Sequence, residues 1–285
     1  AGERLRVISG SMADEAAVAD AMTGVTHVLH LAAGKESPAL IFDVALKGLF
    51  NLLEQFRVSD ASRQFILLSG DCVVGHIFQP YDAPITEDSP RKAYQGSYAL
   101  TKVLEETMVE QFGIQYGINW STLRAPWIME KDDFRYALDL GEGQFGGPPW
   151  SQIIDETKLA SYRNGGRVPV MRDASGNHLK RNFIHVDDLV AAILATIDNP
   201  RANGQLFNIS MNEPVDYGAV GNLLRDSKGL DPIEIETPFH SNWLDNSKAR
   251  MVLGWAPEIG LEELAERAWQ YEREKNDPRI VWYPG

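Results

Sequence analysis

Two apolar runs, "VTHVLHLAA" (25–33) and "QFILLSG" (64–70), constrain the fold more than any other feature of this sequence. Each is short, nearly free of charge and bounded by turn residues, the pattern of a strand buried on both faces of a parallel sheet. Parallel neighbours cannot be joined by a hairpin and need a crossover, usually a helix. The intervening "ALIFDVALKGLFNLLEQF" (39–56) supplies one, with Ser37 as N-cap and Pro38 at the first helical position. The rhythm extends in both directions. "LRVISG" (5–10) reads as a short strand, 13–22 as a helix, 97–112 as a helix and "INWSTLRAP" (118–126) as the next strand. This predicts an α/β fold with a Rossmann-like parallel sheet covered on both faces. From 128 to 180 the pattern breaks into Gly/Pro-rich, aromatic sequence. Regular structure resumes at "NFIHVDDLVAAILATI", "GQLFNIS", "IEIETP" and an amphipathic helix near 261–275.

Charge removes several functional classes. Forty acidic against 27 basic residues give a net charge of −13. Such a surface repels phosphate backbones and anionic lipid, so neither nucleic acid nor membrane is expected as a partner. A small-molecule substrate is. Cys72 is the only cysteine, so no internal disulfide can form, and a reducing, cytoplasmic setting is expected. No apolar run approaches the roughly 20 residues that span a bilayer, and "AGERLRVISG" does not read as a signal peptide.

In such sheets ligands bind beyond the carboxyl ends of the strands. That directs attention to Ala32 and Ala33, Ser69 to Cys72, and Arg124 to Trp127. The spacing Gly141-x-Gly143-x-x-Gly146 imitates a dinucleotide-binding turn. It follows "FRYALDL", a helical turn rather than a strand, and precedes Pro148 and Pro149, which lack N–H donors. It is read as a loop. "SYALTK" is more informative, because Tyr98 and Lys102 lie four apart on one helix face. Bringing a phenol from its ordinary pKa near 10 to neutrality takes about 3 units, or roughly 4 kcal/mol. An adjacent ammonium is the kind of group that supplies this. A second such pair, Tyr271 and Lys275, sits among charged neighbours and is read as a solvated helix face. His27 and His30 point to opposite sides of a strand, so no metal is expected. His30 and His185 read as hydrogen-bonded core residues, and Glu130 to Asp133 as a solvated loop.

Taken in order, these segments resemble the extended short-chain dehydrogenases/reductases of the NAD-dependent epimerase/dehydratase family. "VLHLAAG" is similar to the strand-four motif, "LLSGDCVVG" to the strand-five end, "YALTK" to the catalytic helix and "LRAP" to the strand-six end. "KRNFIHVDDLV" and "NSKARMVLGW" are similar to the later signatures, and the series covers about 4–270. The resemblance implies a dinucleotide-binding domain over 1–127, to which 181–212 returns, and a smaller substrate lobe from 128–180 and 213–285. It implies Tyr98 as acid/base, Lys102 lowering its pKa and holding a nicotinamide ribose, and Ser69 as the associated hydroxyl. It places Ser11, Met12, Leu31, Ala32, Ala33 and Pro126 along NAD or NADP, and Asp71, Trp127 and Arg181 at the substrate, Arg181 on a phosphate. Helices 39–56 and 97–112 resemble those through which members of the family form homodimers.

The sequence also departs from the family. "LRVISG" matches the third strand, and the glycine-rich turn with its flanking strands is not found. Either the chain is truncated, or another segment fills the gap, or the first strand pairs directly with the second. Gly70 stands where the family places a Ser or Thr, five residues before Gly75; Cys72 replaces an expected Glu; and Trp127 replaces an Asn. Trp127, Met129, Phe134 and Trp150 suggest an apolar pocket. The expected activity is oxidation or epimerisation of a secondary alcohol on a sugar, sugar acid or nucleotide sugar. The alternative is a non-catalytic scaffold that keeps the fold.

Overall fold

The computed structural model of the chain describes residues 5–34, 40–141, 150–163 and 166–279. In order these form α1 (Glu15–Ala21), β1 (His27–His30), α2 (Gly48–Val58), β2 (Gln64–Gly70), α3 (Ser97–Tyr116), β3 (Trp120–Ala125) and β4 (Trp127–Met129). Next come α4 (Asp133–Ala137), α5 (Glu156–Arg163), β5 (Arg167–Arg172), β6 (Lys180–Arg181), β7 (Phe183–His185) and α6 (Val186–Thr196). The chain continues through β8 (Gln205–Asn208), β9 (Val215–Asp216), α7 (Tyr217–Lys228), β10 (Asp231–Glu236), α8 (Ser247–Leu253) and α9 (Leu261–Gln270).

The central sheet has the order β1-β2-β3-β8, and every pairing is parallel. Side-chain alternation along β2 sets the layers. Phe65 and Leu67 join Leu49, Leu53, Val109 and Phe112 of α2 and α3 on one face. Ile66 packs with Ile193 of α6 and Leu253 of α8 on the other. The remaining elements build a further core around Phe134, Trp150, Leu159 and Phe183, with short strand pairs β5/β10, β4/β7 and β6/β9.

The expected strand at 5–10 does not form. Leu5, Val7 and Ile8 are exposed and join no ladder. A strand needs a hydrogen-bonding neighbour. β1 is the edge of the sheet, its outer side carries no strand among the described residues, and "LRVISG" does not pair with it. Leu29 and Leu31 are exposed there. The start of the expected 39–56 helix, with Ser37 and Pro38, and the glycine loop beyond Gly141 lie outside the described residues. Within the described part, a π-helical turn at Asp43–Lys47 leads into α2. There Gly48 lies so close to Met12 that a β-carbon would fall 2.7 Å from Met12 Cβ.

Two further expectations are corrected. The run at 130–133 is no solvated loop: Asp132 is buried, Arg273 Nε donates to it at 2.8 Å, Arg279 Nη1 donates to Asp133 at 2.6 Å, and Lys131 Nζ reaches Asp277 at 2.9 Å. That clasp draws the chain after α9 back toward α4, which is why the final helix stops at Gln270 rather than near 275. Tyr271 donates to Asp277 within the same cluster.

α3 is tied to the sheet by a buried charge. Arg124 of β3 grips Glu106 through Nε at 3.1 Å and Nη2 at 2.8 Å, Arg91 Nε adds a contact at 3.1 Å, and Ser69 Oγ donates at 2.7 Å. Glu106 and Arg124 are each 1% exposed. Removing one partner of a buried pair strands the other charge in a medium that cannot solvate it. Glu106→Ala is therefore expected to lower unfolding free energy by about 3–5 kcal/mol in urea denaturation. Asp226→Ala, which removes an exposed partner of Arg225, is expected to cost less than about 1 kcal/mol.

Candidate active site

The carboxyl end of β2 and the turn that follows it meet the first turns of α3. Gly96, at φ 144, turns the chain into that helix. Tyr98 is half-buried and packs with Cys72, Val73 and Ala99. Lys102 follows one turn later, 3% exposed. Its ammonium donates to the Leu68 carbonyl at 3.2 Å and to Glu105 Oε2 at 2.8 Å. Glu105 is fully buried, and its Oε1 has no hydrogen-bond partner among the described residues. Burial pushes this carboxyl above its ordinary range, against the pull of Lys102.

The expected acidification of Tyr98 is not present in this arrangement. Burial, followed by Cys72, Tyr94, Glu105 and Asp71, holds the phenol well above its ordinary value. Lys102 is spent on Glu105 and a carbonyl instead. Burial likewise raises the Cys72 thiol, so its sulfur is no resting nucleophile.

Ser69, the expected associated hydroxyl, donates to Glu106 in this structure. On β2 it shares the α3 side with Phe65 and Leu67, but two turns beyond Tyr98 along that helix, where it serves Glu106. Gly70 adds no side chain, and a β-carbon there would lie 3.2 Å from Cys72 Sγ. The turn Asp71–Val74 follows, closed by Gly75 at φ 88, where a β-carbon would meet the Lys92 carbonyl at 2.7 Å.

That turn presents Asp71 to His76. His76 Nδ1 is 2.5 Å from Asp71 Oδ2, and His76 Nε2 is 2.7 Å from Arg181 Nη2. Trp127 stacks on the His76 ring at 5.7 Å and 17°, and the Arg181 guanidinium lies 3.3 Å from the Trp127 ring centre. Arg181 is 4% exposed and also hydrogen-bonds the Tyr217 side chain. It is thus held in the interior by these partners. Met129, Phe134 and Trp150 are core residues rather than pocket walls.

The remaining expected positions are spread along the sheet. Leu31 and Ala33 are exposed and Ala32 half-buried just past β1, while Pro126 is buried between β3 and β4. Ser11 Oγ accepts from the Ala13 amide at 3.2 Å, and the Met12 carbonyl accepts from Asn51 at 3.0 Å. His185 accepts from the Asp187 amide, as a helix cap. His30 Nε2 has no hydrogen-bond partner among the described residues, which corrects the reading of it as a hydrogen-bonded core residue. No group of three His, Cys, Asp or Glu among the described residues is arranged to hold a metal. No described helix is long and apolar enough to cross a membrane.

Sequence reasoning missed His76, Glu105, Glu106 and Tyr217. The two glutamates had a signal: three and four residues after Lys102, they share the sheet-facing side of α3. His76 and Tyr217 had none, since their partners are distant in sequence.

Residues 1–129 match the family model described as the NAD dependent epimerase/dehydratase family. Among solved structures, a short-chain dehydrogenase/reductase superfamily protein from Agrobacterium tumefaciens with bound NAD superposes with a TM-score of 0.79 at 26% identity, over 94% of this chain and 85% of that one. The UDP-glucose 4-epimerase of Mycolicibacterium smegmatis is 26% identical over 262 residues, 87% of this chain and 76% of its own length. UDP-D-apiose/UDP-D-xylose synthase 2 of Arabidopsis thaliana is 27% identical over 197 residues, 62% of this chain. The chain spans about half the length of that synthase, 48%. The fold is the α/β, Rossmann-like one of these neighbours.

His30 gives a test of the site's electrostatics. Burial, then the Lys102 charge, depresses its pKa from 6.5 to about 4. The unfolded chain therefore binds a proton that the folded one refuses. Stability from this group is full above pH 6.5 and is lost as pH falls toward about 4. The loss amounts to about 3 kcal/mol. His30→Phe, packed on Phe65, is expected to flatten that part of the pH–stability curve, measured by thermal unfolding between these two values.

Proposed function

We propose that the chain carries the reacting centre of an NAD(P)-dependent oxidoreductase or epimerase acting on a secondary alcohol of a sugar, sugar acid or nucleotide sugar. The observation that carries this reading is the placement of Tyr98 and Lys102 one helical turn apart on α3, beside the end of β2, in a chain whose residues 1–129 match this family's model. Relatives named as UDP-sugar epimerases and synthases support the substrate class. The residues present fit the ribose and nicotinamide end of the cofactor: Lys102 within reach of the strand ends, Ala32 and Ala33 without bulk, and Pro126 at the end of β3. A bound nicotinamide supplies the hydride acceptor and donor.

Tyr98 then takes the hydroxyl proton of the substrate as its carbon is oxidised, and returns it in the reverse step. Lys102 has to leave Glu105 to serve a ribose and stabilise the phenolate. We divide the chain accordingly into a cofactor-binding domain, 1–127 with 181–212, and a substrate lobe, 128–180 with 213–285. A second reading, a scaffold without chemistry, draws on Gly70, the Ser69–Glu106 bond and the Lys102–Glu105 pair.

Turnover decides between them. Tyr98→Phe is expected to lower kcat at least about 100-fold, the usual scale of acid–base catalysis, with near-normal activity ending the proposal. Because the free phenol lies above its ordinary pKa, oxidative kcat/KM is expected to rise about tenfold per pH unit through neutrality without a plateau. Calorimetry with NAD and NADP separates the readings further: no binding at millimolar cofactor favours the scaffold.

We also propose a homodimer through helices 39–56 and 97–112, where Phe42, Phe50 and Leu100 are exposed. Light scattering is expected to give twice the 31.8 kDa of one chain, and Phe50→Glu to shift the protein toward monomer.

A further inference from the structure

The proton positions in the buried Asp71–His76–Arg181 column follow from chemistry alone. A guanidinium donates hydrogen bonds and accepts none. The 2.7 Å contact from Arg181 Nη2 therefore requires a lone pair on His76 Nε2. The ring proton then sits on Nδ1, where it donates to Asp71 Oδ2 at 2.5 Å. Only a neutral imidazole satisfies both contacts, and it satisfies them in one orientation. The Trp127 plane and the Asn242 side chain, which donates to the His76 carbonyl, hold that orientation.

The same contacts engage Arg181 through Nη2 and its planar face, while its buried Nε makes no hydrogen bond among the described residues. Its guanidinium is shared among His76, Trp127 and Tyr217 and is 4% exposed. The column itself contains a carboxylate, Asp71, on a chain of net charge −13. A phosphate arriving here would have to break each of these contacts and approach that carboxylate. Asp71 in turn follows Gly70, which offers no side chain, and opens the turn whose Cys72 and Val73 pack with Tyr98.

We propose that Arg181 is an internal positioning residue that fixes the Asp71 carboxylate beside Tyr98 through His76, and that the site consequently takes a sugar or sugar acid without a nucleoside diphosphate. The substrate half of this statement rests on the oxidoreductase or epimerase reading above; the proton arrangement does not. The groups acting on His76 are Asp71 from its own turn and Arg181 from β6, with Tyr94 and Tyr217 beside the arginine. Burial, against the pull of Asp71 and with the Arg181 charge acting in the same direction as burial, holds His76 below its ordinary pKa, in agreement with a neutral ring.

Nitrogen-15 NMR of the purified chain tests the column without any turnover. The His76 ring is expected to show the Nδ1–H form unchanged between about pH 8 and pH 5. Millimolar UDP is expected to leave the Arg181 and His76 side-chain resonances in place. A His76 that titrates near its ordinary value in the wild type, or a saturable UDP shift at Arg181, overturns the proposal. In Arg181→Gln the ring is expected to begin titrating within that range, and an unchanged Nδ1–H form there also overturns it. Arg181→Lys, which keeps the charge, is expected to restore the neutral ring.

The substrate half is read separately, as kcat/KM for a free sugar acid against the matching UDP-sugar. A preference of roughly tenfold or more for the free sugar acid supports it, and a preference for the UDP-sugar sinks it. Turnover of neither ends the oxidoreductase reading and the substrate class with it, while the wild-type NMR result still decides the role of Arg181.

Discussion

The geometry of the site depends on a carboxylate that water does not reach. Glu106 receives donors from Ser69 on β2, Arg124 on β3 and Arg91 on the loop before α3. A buried anion tolerates little displacement, because each lost donor leaves charge uncompensated in a low-dielectric interior. α3 is consequently pinned in both rotation and translation against the strand ends. Tyr98 and Lys102 inherit their positions from a contact two turns and one turn further along the same helix. The neighbouring Glu105 adds a second buried carboxylate that binds Lys102 itself.

Much of this architecture was legible in the residues. "QFILLSG" forms β2 over 64–70 as read, because an apolar run flanked by turn residues has nowhere else to go when both faces are covered. The reading failed where structure depends on a distant partner. "LRVISG" has strand-forming residues but no neighbouring ladder, so propensity alone did not make it a strand. Ser69 was placed near the right helix and the wrong group, since nothing local tells a serine whether a tyrosine or a glutamate stands opposite. The phenol's shift had the wrong sign for a related reason. Spacing announced an ammonium one turn away, but not the carboxylate that had already taken it.

Arg181 and Trp127 show how a substitution changes the meaning of its neighbours. With a broad indole at the end of β3, the guanidinium of β6 finds an aromatic face and an imidazole rather than solvent. The column joins a turn after β2 to β4, β6 and the start of α7, so it couples the sheet to the elements that pack beside it. Its parts are separated by more than a hundred residues, and no local pattern announces it.

The outer side of β1 has a colloidal consequence. From His27 to His30 the backbone donors and acceptors on that side carry no ladder among the described residues, and Leu29 and Leu31 flank them in the open. Natural sheets guard such margins with lysine, proline or a bulge, and "THVLHL" has none of these. This margin is a template: an extended polypeptide that meets it gains hydrogen bonds and apolar cover together.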